Sequence, residues 1–149
     1  MSVETAVKPS LTVKRRLKAP PAKVFAAWTD PEKMKRWMGP GEIVAERVES
    51  DARVGGRYRV EMRRPSGETH CVGGVYREII PNEKLVFTWA WDPVAPDEPH
   101  ESLVTVLLKA DEGGTLLTLI HERLFDEESR AGHEGGWNGA LNKLEKLVA

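Results

Sequence analysis

The segment DEESRAGHEGGWNGALNKLEKLV, Asp126 to Val148, decides how the rest of the chain is read. Trp137, Leu141, Leu144 and Val148 recur at steps of four, three and four, which places them on one face of an α-helix. Asp126 stands where a side chain caps the first turn, and Glu127 and Glu128 suit the positive end of the helix dipole. The first half of this helix carries little bulk. Gly132, Gly135, Gly136 and Gly139 each cost about 1 kcal/mol against Ala in a helix interior. Two explanations stand: a sheet or a bound molecule lies so close that only bare backbone fits, or the helix start is frayed or kinked.

A single long helix with one apolar stripe needs a surface to cover, and the preceding residues supply it. From Ile43 to Glu122 the hydrophobic period is two. Strands are expected at Ile43 to Ser50, Arg57 to Arg63, Thr69 to Ile80, Lys84 to Trp91, Ser102 to Ala110 and Thr115 to Glu122. The turn signals between them (Gly55 with Gly56, Pro65 to Gly67, Pro81 with Asn82, Asp111 to Gly114) are short, which favours antiparallel neighbours. Gly73 and Gly74 inside the third of these strands predict a bulge or a sharp bend. Asp92 to Glu101, rich in proline and acid, reads as the longest loop.

Leu11 to Leu17 adds a strand at the front, with Leu11, Val13 and Leu17 on one side. Arg15 shares that side, at the rim of a core, paired with a carboxylate, or facing a polar part of a cavity. Pro20 and Pro21 open a helix with an edge of Val24, Phe25 and Trp28, and Asp30 before Pro31 starts a second, ending near Met38. Strand, two short helices, six strands and one long helix make an α+β fold in which a curved antiparallel sheet wraps the C-terminal helix. The candidate inward faces are Tyr58, Val60 and Met62; Leu85, Phe87, Trp89 and Trp91; Val104, Val106 and Leu108; and Leu117, Leu119 and His121. Large aromatics opposite a glycine-rich half-helix imply a groove left partly unfilled, unless the tryptophans close it by packing on one another.

Whole-chain properties narrow the function classes. The 149 residues suit one domain, taken as 11–149 after a short loose leader of residues 1–10. With 22 basic and 23 acidic residues, the chain lacks the excess charge of a nucleic-acid or membrane-surface binder. The single Cys71 excludes an intrachain disulfide and fits a reducing compartment. No run approaches the roughly twenty apolar residues of a membrane span, so a cytoplasmic location is expected.

Several runs together resemble the activator of heat-shock-protein ATPase homologue-like family of the START-like, or SRPBCC, superfamily. They are Ala19-Pro20 with Val24-Phe25-Ala26-Ala27-Trp28-Thr29-Asp30-Pro31, Arg36-Trp37-Met38-Gly39-Pro40, and Asp51-Ala52-Arg53-Val54-Gly55-Gly56-Arg57-Tyr58. Gly74-Val75-Tyr76-Arg77-Glu78-Ile79, Leu85-Val86-Phe87-Thr88-Trp89, Gly114-Thr115-Leu116-Leu117-Thr118-Leu119 and His133-Glu134-Gly135-Gly136-Trp137 follow in the same order. The resemblance spans Leu11 to Val148 and implies a helix-grip fold, with a hydrophobic cavity between sheet and C-terminal helix. It does not imply one activity, because that superfamily holds lipid carriers, hormone receptors and polyketide cyclases.

No catalytic signature is present: no G-x-S-x-G elbow, no phosphate-binding glycine loop, no H-E-x-x-H. His70 and Cys71 are adjacent on a strand and point to opposite faces, so no metal or cofactor is expected. His121 continues the Leu117 and Leu119 face, as a hydrogen-bonded core or rim histidine or as a ligand contact. His133 is read as lying outside the Trp137 stripe, toward solvent or a loop. Trp28 reads as core, and Arg53 as bracing the Gly55-Gly56 turn through a carboxylate. Trp37, Trp89, Trp91 and Trp137 serve either as core or as amphipathic ligand contacts, since each indole N–H wants an acceptor.

The candidate ligand-binding set is Trp37, Tyr58, Val60, Met62, Trp89, Trp91, His121, Gly136, Trp137 and Leu141. Three functions fit the resemblance. One is binding of a small hydrophobic or amphipathic molecule. A second is cyclase or aromatase chemistry with His121 or Tyr58 moving a proton. The third is a chaperone contact stimulating a heat-shock ATPase, against which stands the shortness of Met1 to Ser10 ahead of the first strand. The absence of a convincing acid–base pair favours binding.

Overall fold

The computed structural model describes residues 8–92 and 101–149, so most of the leader and of the acidic loop expected at Asp92 to Glu101 lies outside the described residues. The chain runs β1 (Leu11–Leu17), α1 (Pro21–Thr29), α2 (Pro31–Trp37), β2 (Val44–Ser50), β3 (Arg57–Arg63), β4 (Thr69–Ile80), β5 (Lys84–Asp92), β6 (Ser102–Asp111), β7 (Gly114–Glu122) and α3 (Glu127–Val148). Every expected element is found, within two residues of its expected ends. The seven strands form one sheet in the order β1-β7-β6-β5-β4-β3-β2, antiparallel throughout. From β2 onward each strand pairs with its successor, as short turns require. The chain crosses the sheet only once, through α1 and α2, which carry it from the β1 edge to the β2 edge.

Local chemistry sets the boundaries. Asp30 has an extended backbone, which Pro31 demands of its predecessor, and so ends α1. Its Oδ1 then accepts from the Glu32 N–H at 2.9 Å and caps α2. Asp126 repeats the device, accepting from the Ser129 N–H at 2.8 Å. Between β6 and β7, Glu112 (φ 48°) and Gly113 (φ 83°) are both left-handed, the combination whose twist suits a two-residue hairpin.

The sheet curves around α3 into a half-barrel. Register shifts between Ala45 and Arg47 in β2, and between Tyr76 and Glu78 in β4, insert the extra residues that bend a strand. The bend expected at Gly73 and Gly74 is a close approach: a Cβ on Gly74 would lie 2.1 Å from the Thr88 carbonyl oxygen of β5. The register slips just beyond it.

One core fills the concave side. Leu141, Leu144 and Val148 of α3 are buried with Val104, Val106, Leu117 and Leu119 of the sheet, as the helical spacing predicts. Trp28 and Trp37 meet edge to face at 4.6 Å and join α1 to α2. Arg15 proves to be a brace to the helix. Its guanidinium donates to the Asn138 carbonyl and side chain at 3.2 Å and pairs with Glu145 at 3.3 Å. Lys143 anchors the other flank, donating to the carbonyls of Gly39 and Ile43 in the α2–β2 loop. Arg53 pairs with Asp51 at 2.8 Å beside the Gly55 turn. Among the described residues no helix is long and apolar enough to cross a membrane.

Candidate functional site

The glycine-rich half of α3, the α2–β2 loop and the ends of β3, β4 and β5 enclose a cavity of about 520 Å³. That is the size of a site for a drug-sized molecule, roughly 300 to 1,000 Å³. A Cβ on Gly132 or Gly135 would meet nothing within 4 Å, and one on Gly136 only the edge of Pro40 at 3.9 Å. The helix runs unbroken through these positions, so fraying does not explain the glycines. Their missing side chains are part of the empty space. Gly139 is different: its Cβ would come within 2.7 Å of Pro40 Cβ, so here the bare backbone lets the loop touch the helix.

Aromatic rings from β5 and α3 build the wall beside these glycines. Trp89 lies 4.9 Å from Trp137 and meets Trp91 edge to face at 5.6 Å, centroid to centroid. Trp91 and His133 are joined by a hydrogen bond from the indole Nε1–H to Nε2 at 3.0 Å. An indole N–H only donates, so Nε2 is unprotonated and the proton sits on Nδ1, which donates to the Ser129 carbonyl at 2.8 Å. Burial holds the His133 pKa below the ordinary histidine value, against the opposing pull of the Ser129 carbonyl. His133 is thus neutral and part of the cavity wall, not directed to solvent or a loop as the sequence reading had it. The signal was present: Ser129, His133 and Trp137 follow one another at steps of four, on one helix face.

Of the candidate ligand-binding residues, Met62, Trp89, Trp91, Gly136 and Trp137 come together around the cavity. The others do not line it. Trp37 is fully buried between the short helices and donates to the Ala27 carbonyl at 2.8 Å. The Tyr58 hydroxyl donates to the Thr88 carbonyl, and burial lifts its pKa well above the tyrosine value. Val60 and Leu141 are core residues without exposure.

His121 lies behind the wall, fully buried in a directed chain. Trp137 Nε1–H donates to its Nδ1 at 3.0 Å, so its Nε2 carries the proton and faces Ser102 Oγ at 2.7 Å. Ser102 donates in turn to the Trp89 carbonyl at 3.2 Å. His121 therefore orients the Trp137 indole and, through Ser102, is tied to the Trp89 backbone without reaching the cavity, the core alternative of its two sequence readings.

Besides His133, the cavity residues that escape the sequence reading include Arg64, His70 and Met38. Arg64 lies two positions beyond Met62 and so shares its face; His70 is the register partner of Met62 on β4. Met38 closes the loop side. Cys71, next to His70, goes to the other face, within 3.1 Å of the Arg59 guanidinium. Among the described residues no group of three or more His, Cys, Asp or Glu side chains is placed to hold a metal ion.

The family model described as "Activator of Hsp90 ATPase homolog 1-like protein" matches residues 18–149. Protein CV1439 from Chromobacterium violaceum superposes with a TM-score of 0.86 at 33% identity, over 93% of this chain and 96% of that one. The AHSA1 (SPO3351) protein from Silicibacter pomeroyi gives 0.81 at 28% identity, covering 93% and 96%. An uncharacterized protein from Rhizobium leguminosarum gives 0.80 at 27%, covering 99% and 98%. No curated protein matches the chain.

Proposed function

Because the chain belongs to the activator of Hsp90 ATPase homolog 1-like family, a branch of the START-like superfamily, we propose that it is a cytoplasmic binding protein for a small amphipathic molecule. The observation that carries this reading is the 520 Å³ cavity bounded by the glycine-rich half of α3 with its Trp137 and by the Trp89 and Trp91 rings of β5. Apolar walls of this kind give affinity at about 25 cal/mol per Å² buried, less the cost of immobilising the guest.

A cyclase-like reaction, the other expectation, asks for a group in the cavity free to take a proton. Neither His121 nor Tyr58 lines the cavity, and both ring nitrogens of His133 are already engaged; His70 keeps an unbonded Nε2, but among the described residues no carboxylate or tyrosine lines the cavity beside it. These arrangements favour holding a molecule over converting it. The test is native mass spectrometry of protein purified from its own host, followed by titration of tryptophan fluorescence with fatty-acid and planar aromatic probes. A co-purifying small molecule and a saturable change in emission are expected. Absence of both overturns the binding reading.

A further inference from the structure

Among the described residues the charged and polar side chains lining the cavity are Arg64, His70, Ser129 and His133, with no carboxylate. Two buried wall atoms, Trp89 Nε1 and His70 Nε2, have no hydrogen-bond partner. An indole N–H is purely a donor, so at Trp89 the wall asks for an acceptor. Arg64 and His70 sit side by side at the β3–β4 hairpin, where Met62 pairs with His70 and the turn is closed by the Arg64 N–H to Glu68 carbonyl bond at 2.8 Å. Among the described residues the acid in ion-pair range of both is Glu68, on the exposed turn. Its Oε1 lies 3.8 Å from Arg64 Nε and 3.7 Å from His70 Nε2, an exposed contact too long for a hydrogen bond and weak by nature.

We propose that the molecule bound is an amphipathic monoanion, its apolar body among Trp89, Trp91 and Trp137 and its carboxylate or equivalent head at Arg64 and His70. This rests on the binding reading above and adds the charge of the ligand. A carboxylate accepts at both oxygens and matches the planar guanidinium fork, whereas a neutral head of the same shape leaves that charge unanswered. Glu68 occupies the head-group position only loosely and competes with an incoming anion.

Isothermal titration calorimetry with two matched pairs tests it: decanoate against decanol, and 2-naphthoate against 2-naphthamide. The acid of at least one pair is expected to bind about tenfold or more tighter than its neutral partner, the scale of one charge-assisted hydrogen bond. Arg64→Gln should erase that preference; Glu68→Gln should tighten the acid alone. Arg64 and Glu68 are exposed, so both variants are expected to fold, with circular dichroism as the check. Equal binding of acid and neutral partner, both lost in Gly136→Leu, overturns the anion proposal and leaves the binding reading standing. A preference for the acid that survives both Arg64→Gln and His70→Gln also overturns it, by placing the anion elsewhere. No saturable binding of any of the four overturns both readings.

Discussion

Trp91 donates its indole N–H to Nε2 of His133 at 3.0 Å, linking the end of β5 to the first half of α3 across the cavity wall. This bond exists only while His133 is neutral, because protonation would set one N–H against another. Burial lowers the folded-state pKa of His133, so below the ordinary value of about 6.5 the unfolded chain binds the proton more readily. Stability is therefore lost as pH falls through that value toward the lower folded pKa, and is fully present above it. Urea midpoints measured between pH 8 and pH 5 should decline less steeply in His133→Gln than in the parent. Parallel curves would contradict the assigned protonation state.

Two helix glycines predict opposite outcomes for the same substitution. Gly132→Ala places a methyl where nothing lies within 4 Å and removes the helix penalty of glycine, so it should stabilise by up to about 1 kcal/mol. Gly139→Ala drives its Cβ to 2.7 Å from Pro40 Cβ and 3.2 Å from Pro40 Cα, part of a rigid ring and its backbone. It should destabilise by about 1 to 3 kcal/mol despite the same gain in propensity. Chemical denaturation of the two single variants gives the comparison, and an equal sign in both would sink the assignment of Gly139 to a close contact.

Gly136 is the place to fill the cavity without breaking the fold. Its Cβ position has only Pro40 Cγ for a neighbour within 4 Å, at 3.9 Å, and the residue lines the cavity. Gly136→Leu should abolish the fluorescence response to apolar probes while the melting temperature stays at or above that of the parent. Unchanged probe affinity would place binding outside this cavity.

Leu144 tests the grip of the helix on the sheet. It is fully buried in the core beyond the cavity, so Leu144→Ala should cost about 2 to 5 kcal/mol through lost transfer energy and the void left behind. Probe affinity per folded molecule should be untouched, since Leu144 does not line the cavity. A urea midpoint equal to that of the parent would count against the packing described.

What the sequence determined by itself is the set of elements and the side of each element that faces inward. Periods of two and of about 3.6 are properties of the backbone, so Tyr58, Val60 and Met62 are committed to one side of β3 before anything is known of what covers them. Depth along that side is not written in the period. Tyr58 and Val60 are sealed in the core and Met62 and Arg64 open on the cavity, because α3 carries bulk from Trp137 onward and none at Gly132, Gly135 and Gly136. The division between core and site falls where a helix distant in sequence changes from glycine to leucine, and only the packed arrangement puts that change opposite a particular residue of the strand. The same holds for polar groups. Trp91 and His133 are 42 residues apart, as Arg64 is remote from Trp137, and a hydrogen bond or a shared cavity between such residues exists only once the sheet has curved around the helix.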